Sequence, residues 1–146
     1  MDMQLTAYTD YALRVLMYLA VHDDRLVTIA EMASVYDISK NHLMKIVHQL
    51  GLEGFIETVR GRGGGLRLGQ SPTRVALGQV VRKMEPHFNI VECFDGAANR
   101  CPVTPACQLS TMLEQARDAF LAVLDRYTLA DLIQDKPALT KLLDID

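Results

Sequence analysis

A mainly helical chain with one small β wing, a winged helix-turn-helix domain followed by a long dimerisation helix, is what the sequence predicts from three observations. Apolar residues recur at helical spacing through most of the 146 residues. One glycine-rich segment, GRGGG, lies between two short strand-like runs. A long amphipathic stretch follows an aperiodic, cysteine-bearing one. Hydrophobic residues make up 49%, charged residues 23% and aromatics 6%, ordinary globular usage that excludes disordered, collagenous and low-complexity classes.

The elements follow in order. Ala12, Val15, Leu16 and Leu19 fall on one helical face, predicting a first helix over about 9–22 with Thr9 as its cap. Thr28 and Glu31 match a capping box, which opens the short helix IAEMASVY. After the turn DI, Ser39 caps a third helix whose stripe is Leu43, Ile46, Val47 and Leu50, and Gly51 is its expected left-handed terminator. FIETVR and LRLG read as strands with GRGGG as the hairpin tip, and ALGQVVRKME as a helix over about 76–85 ended by Pro86. The next twenty or so residues, PHFNIVECFDGAANRCPVTPAC, lack periodicity; structureless runs of that length in a compact domain are usually functional. Leu109, Met112, Leu113, Ala116, Phe120, Val123, Leu124 and Tyr127 then line one side of a helix running to about 126. The winged part is too small to cover such a stripe, so pairing with the same helix of a second chain is expected. Thr128 and Asp131 begin a last short helix, TLADLIQD, and KPALTKLLDID is expected to fray. The expected organisation is a DNA-binding domain over 1–85, a cysteine loop over 86–107, and a dimerisation helix with its tail over 108–146.

Two helices joined by a short turn, the second polar and basic outside, describe a helix-turn-helix, and the hairpin after it supplies a wing. The net charge of −3 hides an asymmetry: residues 39–75 carry six Lys/Arg against two acidic residues. That local excess fits a phosphate-facing surface. Thr28, Ser39, Lys40, Asn41, His42 and Lys45 are the candidate DNA contacts of the helical unit. Arg60, Arg62, Gly63 and Gly64 are those of the wing, where missing side-chain bulk lets a guanidinium approach a minor groove. No Gly-Lys-Ser/Thr follows the glycines, which argues against a nucleotide-binding phosphate loop. The seven methionines read mostly as core or N-terminal residues, His48 as packing or solvent-facing, and Tyr8 and Tyr11 as contact-forming aromatics.

Cys93, Cys101 and Cys107 are spaced unlike zinc fingers or paired redox cysteines. Pro102 and Pro105 stiffen the segment between the last two, and Cys107 stands at the positive end of the long helix's dipole. Soft sulfur ligands select iron-sulfur clusters, zinc or copper(I), and plain thiols remain an alternative. The polar start MDMQLTAYTD is no secretory signal, and YALRVLMYLAV, broken by Arg14, falls far short of the roughly 20 residues a membrane span needs. A cytoplasmic location without membrane contact is expected, and no enzyme motif such as HExxH or GxSxG occurs.

LTAYTDYALRVLMYLA, SKNHLMKIVHQL, VRGRGGGLRLG, MEPHFNIVECFD, the three-cysteine loop and RYTLADL together resemble the IscR/NsrR-type family of winged-helix regulators over nearly the whole chain. Within it the chain is most similar to the nitric-oxide-sensing, NsrR-like members. The resemblance implies a homodimer with crossed long helices and one iron-sulfur cluster per subunit, 2Fe-2S or 4Fe-4S, held by Cys93, Cys101 and Cys107. It implies Asp10 of the partner subunit as fourth ligand. IscR-like members carry a histidine three residues after the last cysteine, where this chain has Ser110. The implied function is transcriptional repression at near-palindromic double-stranded operator DNA, relieved by nitric oxide under nitrosative stress. The alternatives are a regulator that senses iron-sulfur cluster status and a zinc or thiol protein with a winged-helix adaptor.

Overall fold

A computed structural model describes residues 3–144. Its helices are α1 (Ala7–Val21), α2 (Ile29–Tyr36), α3 (Lys40–Leu52), α4 (Leu77–Met84), α5 (Gln108–Asp125), α6 (Leu129–Leu132) and α7 (Lys136–Leu143). Strands β1 (Ile56–Val59) and β2 (Gly65–Leu68) form an antiparallel hairpin, with Ile56 opposite Leu68 and Val59 opposite Gly65.

The core sits in the winged half. Ala12, Val15, Leu16 and Leu19 of α1 are buried against a cluster that includes Met32 of α2, Leu43, Ile46 and Leu50 of α3, and Val80 of α4. Val27, just before α2, exchanges backbone hydrogen bonds of 2.9 and 2.7 Å with Leu66 of β2, which fastens the wing to the helical unit. The fold is the expected winged helix. The far end of α5 returns to it through Leu77 N–H donating to the Tyr127 carbonyl and Leu129 N–H to the Val75 carbonyl, at 2.9 and 2.8 Å.

Three local expectations are corrected. Thr6, not Thr9, caps α1; the Thr6 hydroxyl accepts the Thr9 N–H, while Thr9 lies fully buried inside the first turn. Two threonines three positions apart carry the same local signal, and the hydroxyls of both donate to a distant carboxylate, Glu85. Gly51 lies within the last turn of α3, and the left-handed residue is Gly54, at φ 81°. Phe55 N–H bonds the Leu50 carbonyl and Gly54 N–H the Gly51 carbonyl, the paired closure of a Schellman motif. The tail, expected to fray, forms α7 up to Leu143. Asp135 caps it through the Ala138 N–H, Lys136 pairs with Asp23 at 2.9 Å, and Asp144 binds the His22 ring nitrogen. The two ion-pair anchors lie more than 100 positions away in sequence, so local pattern could not announce them.

Candidate nucleic-acid interface and cysteine cavity

α3 is positioned by its buried stripe of Leu43, Ile46, Val47 and Leu50, which leaves Lys40, Asn41, Met44, Lys45 and His48 exposed on the opposite face. Ser39 begins the helix, its hydroxyl accepting the His42 N–H at 3.1 Å. Thr28 does the same for α2, where its exposed hydroxyl and the Glu31 carboxylate form the expected capping box. His42 is half-buried and turned onto α1, its ring 5.2 Å from that of Tyr11 and 6.4 Å from that of Tyr8. The Tyr8 hydroxyl also reaches the Lys45 carbonyl, at 3.3 Å. α1 and the outer helix are therefore joined by an aromatic bracket. The Tyr36 hydroxyl donates to the Arg14 carbonyl at 2.9 Å, and burial pushes its pKa up to about 12, so it stays a donor.

At the wing tip, Gly61 and Gly63 adopt φ of 100° and 75°, and a Cβ on Gly64 would collide with the Val59 carbonyl. The turn is thus one that only glycine permits, and it leaves Arg60 and Arg62 exposed. Apart from Arg74, which follows the wing in a 3-10 turn, the basic residues here and Lys83 of α4 fall into two groups. Arg67 is held by Glu57 across the hairpin at 3.0 Å, hydrogen bond and charge together lowering the Glu57 pKa, and Lys83 pairs with Glu53. Lys40, Lys45, Arg60 and Arg62 have no carboxylate partner among the described residues. Four free cations on α3 and the wing form the positive surface.

The cysteines converge from a separate segment. Cys93 lies in a short 3-10 turn, Glu92–Phe94; Cys101 follows the Asn99 side chain, which accepts its N–H; and Cys107 immediately precedes α5. Phe94 pins the loop to α5 by lying under the Arg117 guanidinium, 4.9 Å from the ring centre. All three half-buried cysteines line one cavity of about 220 Å³, walled mainly by Val91, Val103, Leu109 and Leu113. Among the described residues no three His, Cys, Asp or Glu side chains close to single-ion distance. Three thiols around an apolar space suit a soft inorganic group larger than one ion. Ser110 is at the cavity with its hydroxyl turned to the Cys107 carbonyl.

Asp10 does not line this cavity. Its carboxylate, in the first turn of α1, is gripped by Arg14 through hydrogen bonds of 3.0 and 3.3 Å. Sequence reasoning missed Glu85, at the end of α4, whose carboxylate accepts the Thr6 N–H and both the Thr6 and Thr9 hydroxyls. It ties the N-terminus of α1 to the base of the cysteine loop across 79 positions, a separation with no local signal. No helix of the described residues is long and apolar enough to cross a membrane.

A family model, Rrf2, described as an iron-dependent transcriptional regulator, matches residues 5–135. The chain is 54% identical over 142 residues to the HTH-type transcriptional regulator NsrR of Bacillus subtilis, covering 97% of each, and 49% identical to NsrR of Geobacillus kaustophilus with the same coverage. Its structure is similar to that of CymR, described as the global cysteine regulator of B. subtilis, at TM-score 0.71 and 25% identity, over 90% of this chain and 96% of that one. It is also similar to T. potens IscR, at TM-score 0.71 and 22% identity, over 92% and 88%.

Proposed function

The chain belongs to the Rrf2 family of transcriptional regulators, and from that membership we propose that it is a DNA-binding repressor whose operator affinity is set by nitric oxide through an iron-sulfur cluster. The observation that carries the reading is the convergence of Cys93, Cys101 and Cys107 on one small apolar cavity at the foot of α5. These three sulfurs would hold the cluster, one per subunit, with either two or four irons, and Asp10 of the partner subunit would complete its ligands. When bound, the cluster supplies iron that takes up nitric oxide, and a carboxylate is the weakest donor of the four.

The chain's own residues then convert ligation into DNA affinity. Asp10 lies away from the cysteine cavity of its own protomer, so its use as a ligand ties α1 of one subunit to the cysteine loop of the other. Arg14 competes for that carboxylate, but an exposed pair of this kind is worth only about 0.2 to 1 kcal/mol. The carboxylate can therefore change partner. Tyr8 and Tyr11 press α1 against His42, so a shift of α1 reaches α3. The exposed Leu109, Met112, Phe120 and Val123 of α5, with Tyr127 just beyond it, supply the surface for the homodimer.

In that dimer Lys40, Asn41 and Lys45 of each α3 face a major groove, and Arg60 and Arg62 reach phosphates or a minor groove beside Gly63 and Gly64. Thr28 and Ser39 stand at helix N-termini where phosphate is favoured. Half-sites one helical turn or a multiple apart make the operator near-palindromic. A 100-fold change in occupancy requires only about 2.7 kcal/mol of coupling. The output is derepression of genes that handle nitrosative stress.

Anaerobic purification, an absorption spectrum and a nitric-oxide titration followed by DNA binding test the proposal. A coloured protein that bleaches as it leaves DNA is the expected result; a colourless protein holding zinc overturns it. Asp10→Ala should keep the visible absorption but lose the link between cluster state and DNA affinity. Identical release curves for wild type and variant would exclude that role.

A further inference from the structure

On the reading that α3 enters a major groove, we infer that Met44 contacts a base, its side chain packing on the 5-methyl group of a thymine. Met44 is the fifth residue of α3 and is 55% exposed. At 3.6 residues per turn it falls between Lys40 on one side and Asn41 and His48 on the other, on the exposed surface beside the buried stripe. Leu52 is the other large exposed apolar side chain of α3, and it ends the helix, about 12 Å further along the axis. Met44 is thus an apolar side chain set within a polar face by the same geometry that buries its neighbours.

The charges around it say what covers it. Lys40 and Lys45 flank Met44 and lack carboxylate partners among the described residues, which complements a polyanion. The apolar feature that DNA presents to a helix in the major groove is the thymine methyl. Met44 stands in the N-terminal half of α3, where a recognition helix meets base edges. Its unbranched, polarisable side chain can settle on a methyl group without demanding one rotamer. His42, which the sequence places next to these residues, is instead engaged by Tyr8 and Tyr11, leaving Asn41 and Met44 as the uncharged pair one turn apart at this end of the helix. Asn41 is suited to an adenine edge, so A·T pairs are expected where the two residues read.

The full-length chain, purified anaerobically, would be used to select duplexes from a randomised pool. Each thymine of the selected site would then be replaced by deoxyuridine, which lacks only the 5-methyl group. Wild type should lose about fourfold in affinity at one thymine per half-site, the value of one buried methyl group, and Met44→Ala should lose nothing further there. Met44→Leu, which restores an apolar contact, should recover the methyl dependence. A general weakening of α3 would not produce this position-specific coupling. If every thymine-to-deoxyuridine change affects wild type and Met44→Ala equally, the assignment is overturned while DNA reading stands. If no duplex is enriched at all, the DNA-reading function on which it rests fails as well.

Discussion

The winged half of the chain and the cysteine-bearing half are completed to different degrees. Between α1 and α4 nearly every large apolar side chain at core spacing is enclosed, from Leu16 and Met32 through Phe55 to Val80. Beyond Met84, the buried apolar residues among those described are Leu121, Leu129 and Leu143, and none belongs to the cysteine loop. α5 leaves Leu109, Met112 and Phe120 in solvent. Leu129 and Leu143 complete the core of the first half, whereas the cysteine loop and α5 display apolar surface and thiols. What the cysteine loop and α5 display is a set of unfinished contacts outside that core.

One pair of substitutions would break or sharpen that contrast most strongly. Phe55 is 2% exposed and Phe120 is 47% exposed. Phe55→Ala should destabilise the fold by about 3 to 5 kcal/mol, through lost burial and the cavity left behind. Phe120→Glu should leave the thermal stability of the isolated protomer nearly unchanged. It should instead shift sedimentation from dimer to monomer and weaken binding to a two-half-site duplex by about 100-fold or more, the avidity of linked sites. Equal stability losses for the two variants would show that α5 belongs to the same core.

The same contrast governs what could be read from sequence. The winged half announces itself because its stabilising contacts have local signatures: the 3.6-residue stripe of α3, the Thr28–Glu31 capping box, and the glycines of the hairpin tip. The three cysteines were legible as a group, since their residue type and loop context single them out. Their meeting at one cavity required the fold, because Cys93 and Cys107 are joined only through a loop of irregular turns. Glu85, His22 and α7 were illegible for a different reason. Glu85 reaches Thr6 and Thr9, and His22 reaches Asp144, through single side-chain contacts between distant segments, and no periodicity marks such pairs. The packing of His42 onto Tyr11 was also illegible, because a histidine on a polar helix face looks the same in sequence whether it turns outward or onto a neighbouring helix.

A smaller effect is expected at the joint between the halves. Gly78 of α4 is buried where α5 passes; a Cβ there would meet the Asp125 carboxylate and come within 3.0 Å of the Asp125 backbone nitrogen. Alanine normally favours a helix over glycine by about 1 kcal/mol. Gly78→Ala should reverse that preference and cost about 1 to 3 kcal/mol, because the overpacked methyl pushes α5 away from α4. A melting temperature raised by the substitution would mean that the two helices do not hold this close approach.

The smallest effect should come from the ion pair at the same joint. Arg82 donates to both Asp125 oxygens, one of them at 2.9 Å. The hydrogen bonds and charge of the guanidinium hold the Asp125 carboxyl below its usual value of 3.8, against a weaker opposing effect of desolvation. A carboxyl whose pKa is lowered by folding contributes stability at pH values above its unfolded pKa, and that contribution is lost as pH falls through the folded one. Wild type and Asp125→Asn should therefore differ slightly and constantly from neutrality down to about pH 4, then converge in more acidic solution. Both partners are exposed, so high salt should shrink the difference at every pH. Acid unfolding followed at low and high ionic strength separates this charge effect from a packing effect. A difference that persisted at low pH and in high salt would assign the contact to shape, placing Asp125 with Gly78 as part of the close approach between α4 and α5 and not as a counter-charge to Arg82.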